Sequence, residues 1–206
     1  METEKVYSQN QFAEDIIERL KTLVFDNTQF HRSINTLKLK KKICAVASGY
    51  KDLHIWAGGV EKEMKEKDNV DITHICGHEW LYDLIIYRFR QNEHYALNHT
   101  ILTMESEWGG LRPKNKRNDG NDYYGEVKFD FQKLLVSNAD ILLMVYKQQI
   151  KKESNAVDNE LNQYFQKTID NCQNVKDNSI FVFAKYIDSD SPHFLIHTYQ
   201  KKGVWK

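Results

Sequence analysis

An uninterrupted apolar run, "ADILLMVYK" at residues 139–147, sits between two stretches of helical character, and that arrangement leaves few folds open. A run this short and this apolar reads as a strand buried on both faces. Ahead of it, "FDFQKLLVSN" reads as a short helix. Behind it, "NAVDNELNQYFQKTIDNC" sets Val157, Leu161, Tyr164, Phe165, Thr168 and Cys172 on one helical face. "SIFVFAKYI" and "HFLIHTYQ" follow as strands, separated by the turn "SDSPH", where Pro192 can donate no ladder hydrogen bond.

The rest of the chain supplies more of both kinds of element. Ser8 and Gln11 have capping-box spacing, and Phe12, Ile16, Leu20 and Leu23 recur at helical intervals, so "SQNQFAEDIIERLKTLVF" is expected to be an amphipathic helix. "ICAVASGY" and "LHIWAGG" read as short strands ending in glycine, and "VEKEMKEKDN" as a polar helical turn. The basic stretch "LKLKKK", residues 37–42, alternates as an exposed edge strand would. "WLYDLIIYRF" and "YALNHTILTMESEW" are further strands, and the polar loop "GGLRPKNKRNDGNDYYGE" leads from the second into the short helix. Helix, strands, helix, strand, helix, strands is the order of an α/β fold with a mixed central sheet flanked by helices. With 206 residues the chain can build one sizeable core, so a single domain is expected, its core spanning about residues 8–200.

Charge and cysteine content exclude some functions. Twenty-nine Lys and Arg balance twenty-nine Asp and Glu, which gives no support for a generic polyanion binder and leaves only a local basic patch for such a role. Three scattered cysteines imply no disulfide framework and fit a reducing compartment. The polar start "METEKVYSQNQ" has no signal-peptide core, and no apolar run approaches the roughly 18 residues of a membrane span, so a cytoplasmic location without membrane insertion is expected. "HICGH" presents His74, Cys76 and His78, but zinc sites want a fourth ligand and a turn, and no second ligand pair is evident. P-loop, dinucleotide-binding and nucleophile-elbow motifs are absent.

The chemistry concentrates in "LTMESEWGG", residues 102–110. Alternation along a strand puts Ile101, Thr103, Glu105 and Glu107 on one face, and Leu102, Met104, Ser106 and Trp108 on the other. Two carboxylates on one strand face are ordinarily a solvated edge. Asp83 changes the weighting, because an acid among the aromatic and aliphatic neighbours of "WLYDLIIY" is costly unless paired, hydrogen-bonded or bound to a cation. Asp83 precedes Glu105 by enough residues for a strand, a turn and an antiparallel return, so the three acids can converge on one rim of a sheet. Clustered carboxylates repel unless neutralised, and their hard oxygens suit Mg²⁺.

This pattern resembles the PD-(D/E)XK nuclease superfamily, the fold of many type II restriction endonucleases. The matching pieces are "YDL" with Asp83, "ESEW" with Glu105 and Glu107, the helix "DFQKLL" and the strand "ADILLMVY", with the helix near residues 11–24 as the opening helix. Glu107 stands where most members carry a lysine, in an E-x-E form that some restriction endonucleases share. The resemblance implies a restriction-endonuclease-like fold and a Mg²⁺-dependent endonuclease acting on DNA, dimeric if it makes double-strand cuts. It implies that Asp83 and Glu105 hold Mg²⁺ and that Glu107 positions the attacking water or helps deprotonate it. Lys133, one turn into the following helix, is an auxiliary cation in this scheme, although a lysine there is more ordinarily a surface residue. Arg112, Lys114, Lys116 and Arg117, in the loop after the motif, are the candidate phosphate-backbone contacts. Glu14 and Glu18 fall opposite the apolar stripe of the opening helix and take no role. The rival reading is a non-catalytic interaction or nucleic-acid-binding protein with a nuclease-like α/β fold.

Overall fold

The computed structural model describes residues 5–25, 31–60, 75–76, 81–89, 97–109, 112–113, 121–122, 124–148 and 155–203. In chain order the elements are α1 (Gln9–Lys21), α2 (Arg32–Ala47), β1 (His54–Trp56), β2 (Ile75–Cys76), β3 (Leu84–Phe89), β4 (Leu97–Glu107), β5 (Arg112–Pro113), β6 (Asn121–Asp122), α3 (Gly125–Leu135), β7 (Ile141–Lys147), α4 (Asn155–Asn171), β8 (Ile180–Ile187) and β9 (His193–Gln200). The class is α/β. Among the described residues the main sheet runs β2-β1-β3-β4-β7-β8-β9, and β5 pairs with β6 in a small separate ribbon.

The sheet is mixed for a reason visible in its connections. β1, β3 and β4 pair antiparallel in turn, whereas β4, β7 and β8 are parallel neighbours. Parallel neighbours need crossovers, and α3 and α4 supply them. Both crossovers advance across the sheet in the same direction, which puts both helices on the same face. There Phe131 and Phe165 pack on Phe181 and Phe183, the Phe165 and Phe183 rings stacking at 4.3 Å. α1 and α2 cover the other face, over Leu84, Ile86, Leu102, Met104, Leu143 and Val145. The alternation of β7 is thus split between two cores, which explains an apolar run without polar interruption.

Several elements differ from the sequence-based expectation. "LKLKKK" and most of "ICAVASGY" form not strands but the single helix α2. Four alternating residues fit either period. The tie is broken by Asn35, Leu39, Ile43 and Ala47, buried four apart along the continuing chain, and by the helix propensity of Leu, Lys and Ala. Ser8 has the extended backbone of an N-cap, but its side chain makes no capping bond, and Gln11 donates to Asp15 instead, at 3.0 Å. α3 begins at Gly125, earlier than the expected helix and inside the expected loop. Asp83 lies one residue ahead of β3 rather than inside it. Ile86 pairs with Leu102 and Tyr87 with Thr100, so Ile101 is an extra residue on β4. This bulge turns Ile101 into the α1/α2 core beside Leu102, and away from the face of Thr103 and Glu105. Except for Val60, "VEKEMKEKDN" lies outside the described residues.

At the β7 end remote from the acids, Asp140 ties the N-terminal segment to the sheet. Its carboxylate accepts from the Tyr7 hydroxyl at 2.9 Å and lies 2.7 Å from His99 Nε2 and 3.2 Å from Lys176 Nζ. Burial, and then the Asp140 charge, push the Tyr7 phenol well above its ordinary range. Among the described residues, no helix is long and apolar enough to cross a membrane.

Candidate active site

Strand register brings the first two acids together. Leu84 pairs with Met104 and Ile85 with Thr103, so one step further along the antiparallel ladder puts Asp83 opposite Glu105. Side chains of opposed residues on one face start from Cβ atoms about 5 Å apart. β3 has ended by then, and the next inward-pointing amide of β4, that of Ser106, has no strand partner. Asp83 takes that place: its Oδ2 accepts from Ser106 N at 2.8 Å and from Ser106 Oγ at 2.6 Å. This is how the acid sits beside so apolar a strand, for a carboxylate that accepts backbone and hydroxyl donors has replaced its water. Lys40 of α2, itself 2% exposed, brings Nζ to 4.0 Å from Asp83 Oδ1.

Glu105 faces α3. Thr103, two residues earlier on the same side, meets Ser137 just past that helix at 2.9 Å, which fixes the orientation of this face. Glu105 is 4% exposed, and its Oε1 lies 2.9 Å from Lys133 Nζ. Lys133 is thus the charged partner of this buried oxygen. Burial, followed by the charges of Asp83 and Asp130, pushes the Glu105 carboxyl up to about 8 even with Lys133 pulling the other way. Glu107 stands at the end of the strand, where the chain turns at Gly109 with φ of 135°, a left-handed conformation that favours glycine. The Gly109 amide donates to Glu107 Oε1 at 2.7 Å. The Glu107 carboxyl is also raised, chiefly by burial and further by Asp130 and Glu126, against Gly109 and Arg32.

α3 delivers two more groups. Lys133 Nζ lies 3.0 Å from Asp130 Oδ1 as well as against Glu105, so the lysine expected at the surface bridges an acid of its own helix and an acid of the sheet. Burial pushes Lys133 down, but Glu105 and Asp130 outweigh it and hold the ammonium above its usual range. Burial raises the Asp130 carboxyl, with Lys133 opposing. Asp130 is missing from the sequence-based candidates although the expected helix contains it, three residues before Lys133. With the helix beginning at Gly125, Glu126, Asp130 and Lys133 fall on one stripe away from the buried Val127, Phe131 and Leu134.

Asp83, Glu105, Glu107 and Lys133 therefore lie within one corner, between the ends of β3 and β4 and the helix α3. Arg112 is in β5, while Lys114, Lys116 and Arg117 lie outside the described residues, as do His74 and His78. Glu14 and Glu18 are exposed on α1. Among the described residues, no three His, Cys, Asp or Glu groups form a ready cation cage. What this corner does provide is the buried Glu105 carboxylate, its Oε1 against Lys133, and Oδ1 of Asp83, 4.0 Å from Lys40 Nζ, whose partner oxygen holds both Ser106 donors. Such a pair suits Mg²⁺, which commonly takes one or two carboxylates and completes its shell with water and phosphate oxygens. Comparison with known proteins yields no match, whether to family models, to curated proteins or to solved structures.

Proposed function

We propose that this chain is a Mg²⁺-dependent endonuclease that hydrolyses phosphodiester bonds in DNA, built on the PD-(D/E)XK, restriction-endonuclease-like plan. The observation that carries the reading is the meeting of Asp83, just ahead of β3, with the end of β4, where its carboxylate accepts from Ser106, the residue between Glu105 and Glu107. The order of an opening helix α1, the acid-bearing edges of β3 and β4, the crossover α3 and the parallel strand β7 supports it.

In this reading Asp83 and Glu105 hold Mg²⁺, and the ion, when bound, makes water more acidic and stabilises charge on the phosphoryl oxygens. The chain's own groups do the rest. Glu107, its carboxyl made more basic by burial, accepts a proton from the attacking water. That water forms the new P–O bond in line as the opposite P–O bond breaks. Lys133, which meets Glu105 from α3, would supply at the attacked phosphate the cation that position 107 lacks. Arg112, Lys114, Lys116 and Arg117 hold the phosphate backbone, and a homodimer presents two such sites when both strands are cut.

A second reading is favoured by one ion pair. Lys133 already compensates Glu105, so the cluster is also compatible with a non-catalytic nucleic-acid-binding or interaction protein of the same architecture. Incubation of supercoiled plasmid with purified protein separates the two. The nuclease nicks or linearises the plasmid with Mg²⁺ but not with EDTA, and Asp83→Ala and Glu105→Ala each abolish it. Protein that neither cuts nucleic acid nor binds a divalent ion by calorimetry overturns the enzymatic reading.

A further inference from the structure

The middle residue of "ESE" is more than a spacer. Ser106 Oγ lies 2.6 Å from Asp83 Oδ2 and 3.1 Å from Thr36 Oγ1 of α2, and Thr36 Oγ1 in turn accepts from Trp108 Nε1 at 2.7 Å. Both ends of this chain have only one polarity. An indole N–H can only donate, and an ionised carboxylate can only accept. Ser106 therefore commits its proton to Asp83 and receives the Thr36 hydroxyl proton on its own oxygen. All three bonds then point one way, from Trp108 through Thr36 and Ser106 to Asp83, and bonds so aligned strengthen one another.

We propose that Thr36 and Ser106 are positioning residues, forming with Trp108 a one-way hydrogen-bond chain that locks the Asp83 carboxylate through its Oδ2. The proposal rests on the nuclease reading for its purpose but not for its existence. Oδ2 is held by two donors from one residue, the amide and the hydroxyl of Ser106, so the carboxylate plane is fixed. Thr36 and Lys40 are one helical turn apart on α2, so the helix addresses both oxygens of Asp83, one through Ser106 and one by charge. The far end is rigid, since the Trp108 ring is 4% exposed and meets Phe25 edge-on at 5.1 Å. Outer-shell partners of this kind typically govern metal affinity or activity by about 10–100-fold.

The Trp108 indole N–H serves as the reporter, assigned in ¹H–¹⁵N spectra by its loss in Trp108→Phe. In EDTA, Asp83→Asn and Ser106→Ala shift this resonance while leaving the other indole signals in place, because each breaks or repolarises the chain. An unmoved resonance in both variants overturns the chain whether or not the protein is a nuclease. Titration with MgCl₂ then tests its purpose. Wild type and Thr36→Ser show a saturable shift at similar Mg²⁺ concentrations, and in Thr36→Val the midpoint measured by calorimetry rises about 10-fold. Cleavage by Thr36→Val recovers at high Mg²⁺, which a merely misfolded variant does not do and which Asp83→Ala cannot. Equal Mg²⁺ midpoints for Thr36→Val and wild type overturn the positioning role. Absence of any Mg²⁺ response in wild type, with the EDTA result intact, overturns the nuclease reading and leaves the chain as a structural clamp.

Discussion

Replacing Glu105 with glutamine is expected to stabilise the protein at alkaline pH while abolishing its proposed activity. Burial and neighbouring acids raise the folded-state carboxyl from 4.5 to about 8. The native state therefore keeps a proton that the unfolded chain has released, and stability falls as pH rises through that window. Each tenfold change in protonation ratio is worth about 1.4 kcal/mol, so the interval amounts to roughly 4–5 kcal/mol by pH 8.5. Glutamine carries no charge at any pH and escapes this cost. Glu107 and Asp130 are raised in the same direction in both proteins, so the difference between wild type and Glu105→Gln isolates position 105. Urea unfolding in EDTA should give similar stabilities near pH 5 and a clear advantage for the variant at pH 8.5. Mg²⁺ at about 100 times its dissociation constant should then return roughly 2.7 kcal/mol to wild type, and much less to the variant. Parallel pH dependence of the two proteins, or a variant less stable at pH 8.5, would refute the argument that Glu105 is held charged at a cost.

Lys133→Ala removes the cation that lowers the Glu105 carboxyl, so the acid limb of the pH–cleavage profile should move to higher pH and the rate should fall by at least 10²-fold if Lys133 assists proton transfer or charge stabilisation; Lys133→Arg should recover part of the rate, as measured by single-turnover cleavage. Alanine at Arg112, Lys114, Lys116 and Arg117 together should weaken DNA binding across sequences and flatten the salt dependence by about 0.9 in log–log slope for each phosphate no longer neutralised, read by fluorescence anisotropy at several salt concentrations. Asp140→Ala strands the groups that converge on that carboxylate and should cost about 1–3 kcal/mol in urea unfolding, with little change in Mg²⁺ affinity, because the site lies at the other end of the strands.

Local pattern is enough for the elements whose periodicity is sustained and unambiguous. β4, β7, β8, β9, α1 and α4 all lie where alternation, apolar runs or 3.6-residue spacing put them. It fails at "LKLKKK", because four alternating residues satisfy both periods and only the buried spacing of the following turns decides between them. It also misses the bulge at Ile101. A single extra residue is invisible in a chain read alone, since it exists only relative to the partner strand.

The candidate site divides along the same line. That Glu105 and Glu107 share a side follows from the two-residue repeat of any strand, and that Asp83 needs a partner follows from the cost of placing a carboxylate among apolar neighbours. Which partner it finds is decided by packing: β3 begins only after Asp83, an amide of β4 is left without a ladder acceptor, and Asp83 supplies it. Lys133 and Asp130 reach the sheet only because the crossover between parallel strands lays α3 across Glu105. Spacing along one chain carries the chemistry of each residue. Distances between segments far apart in sequence arise when the two cores close, and these select Lys133 as the companion of Glu105 and Thr36, through Ser106, as the support of Asp83.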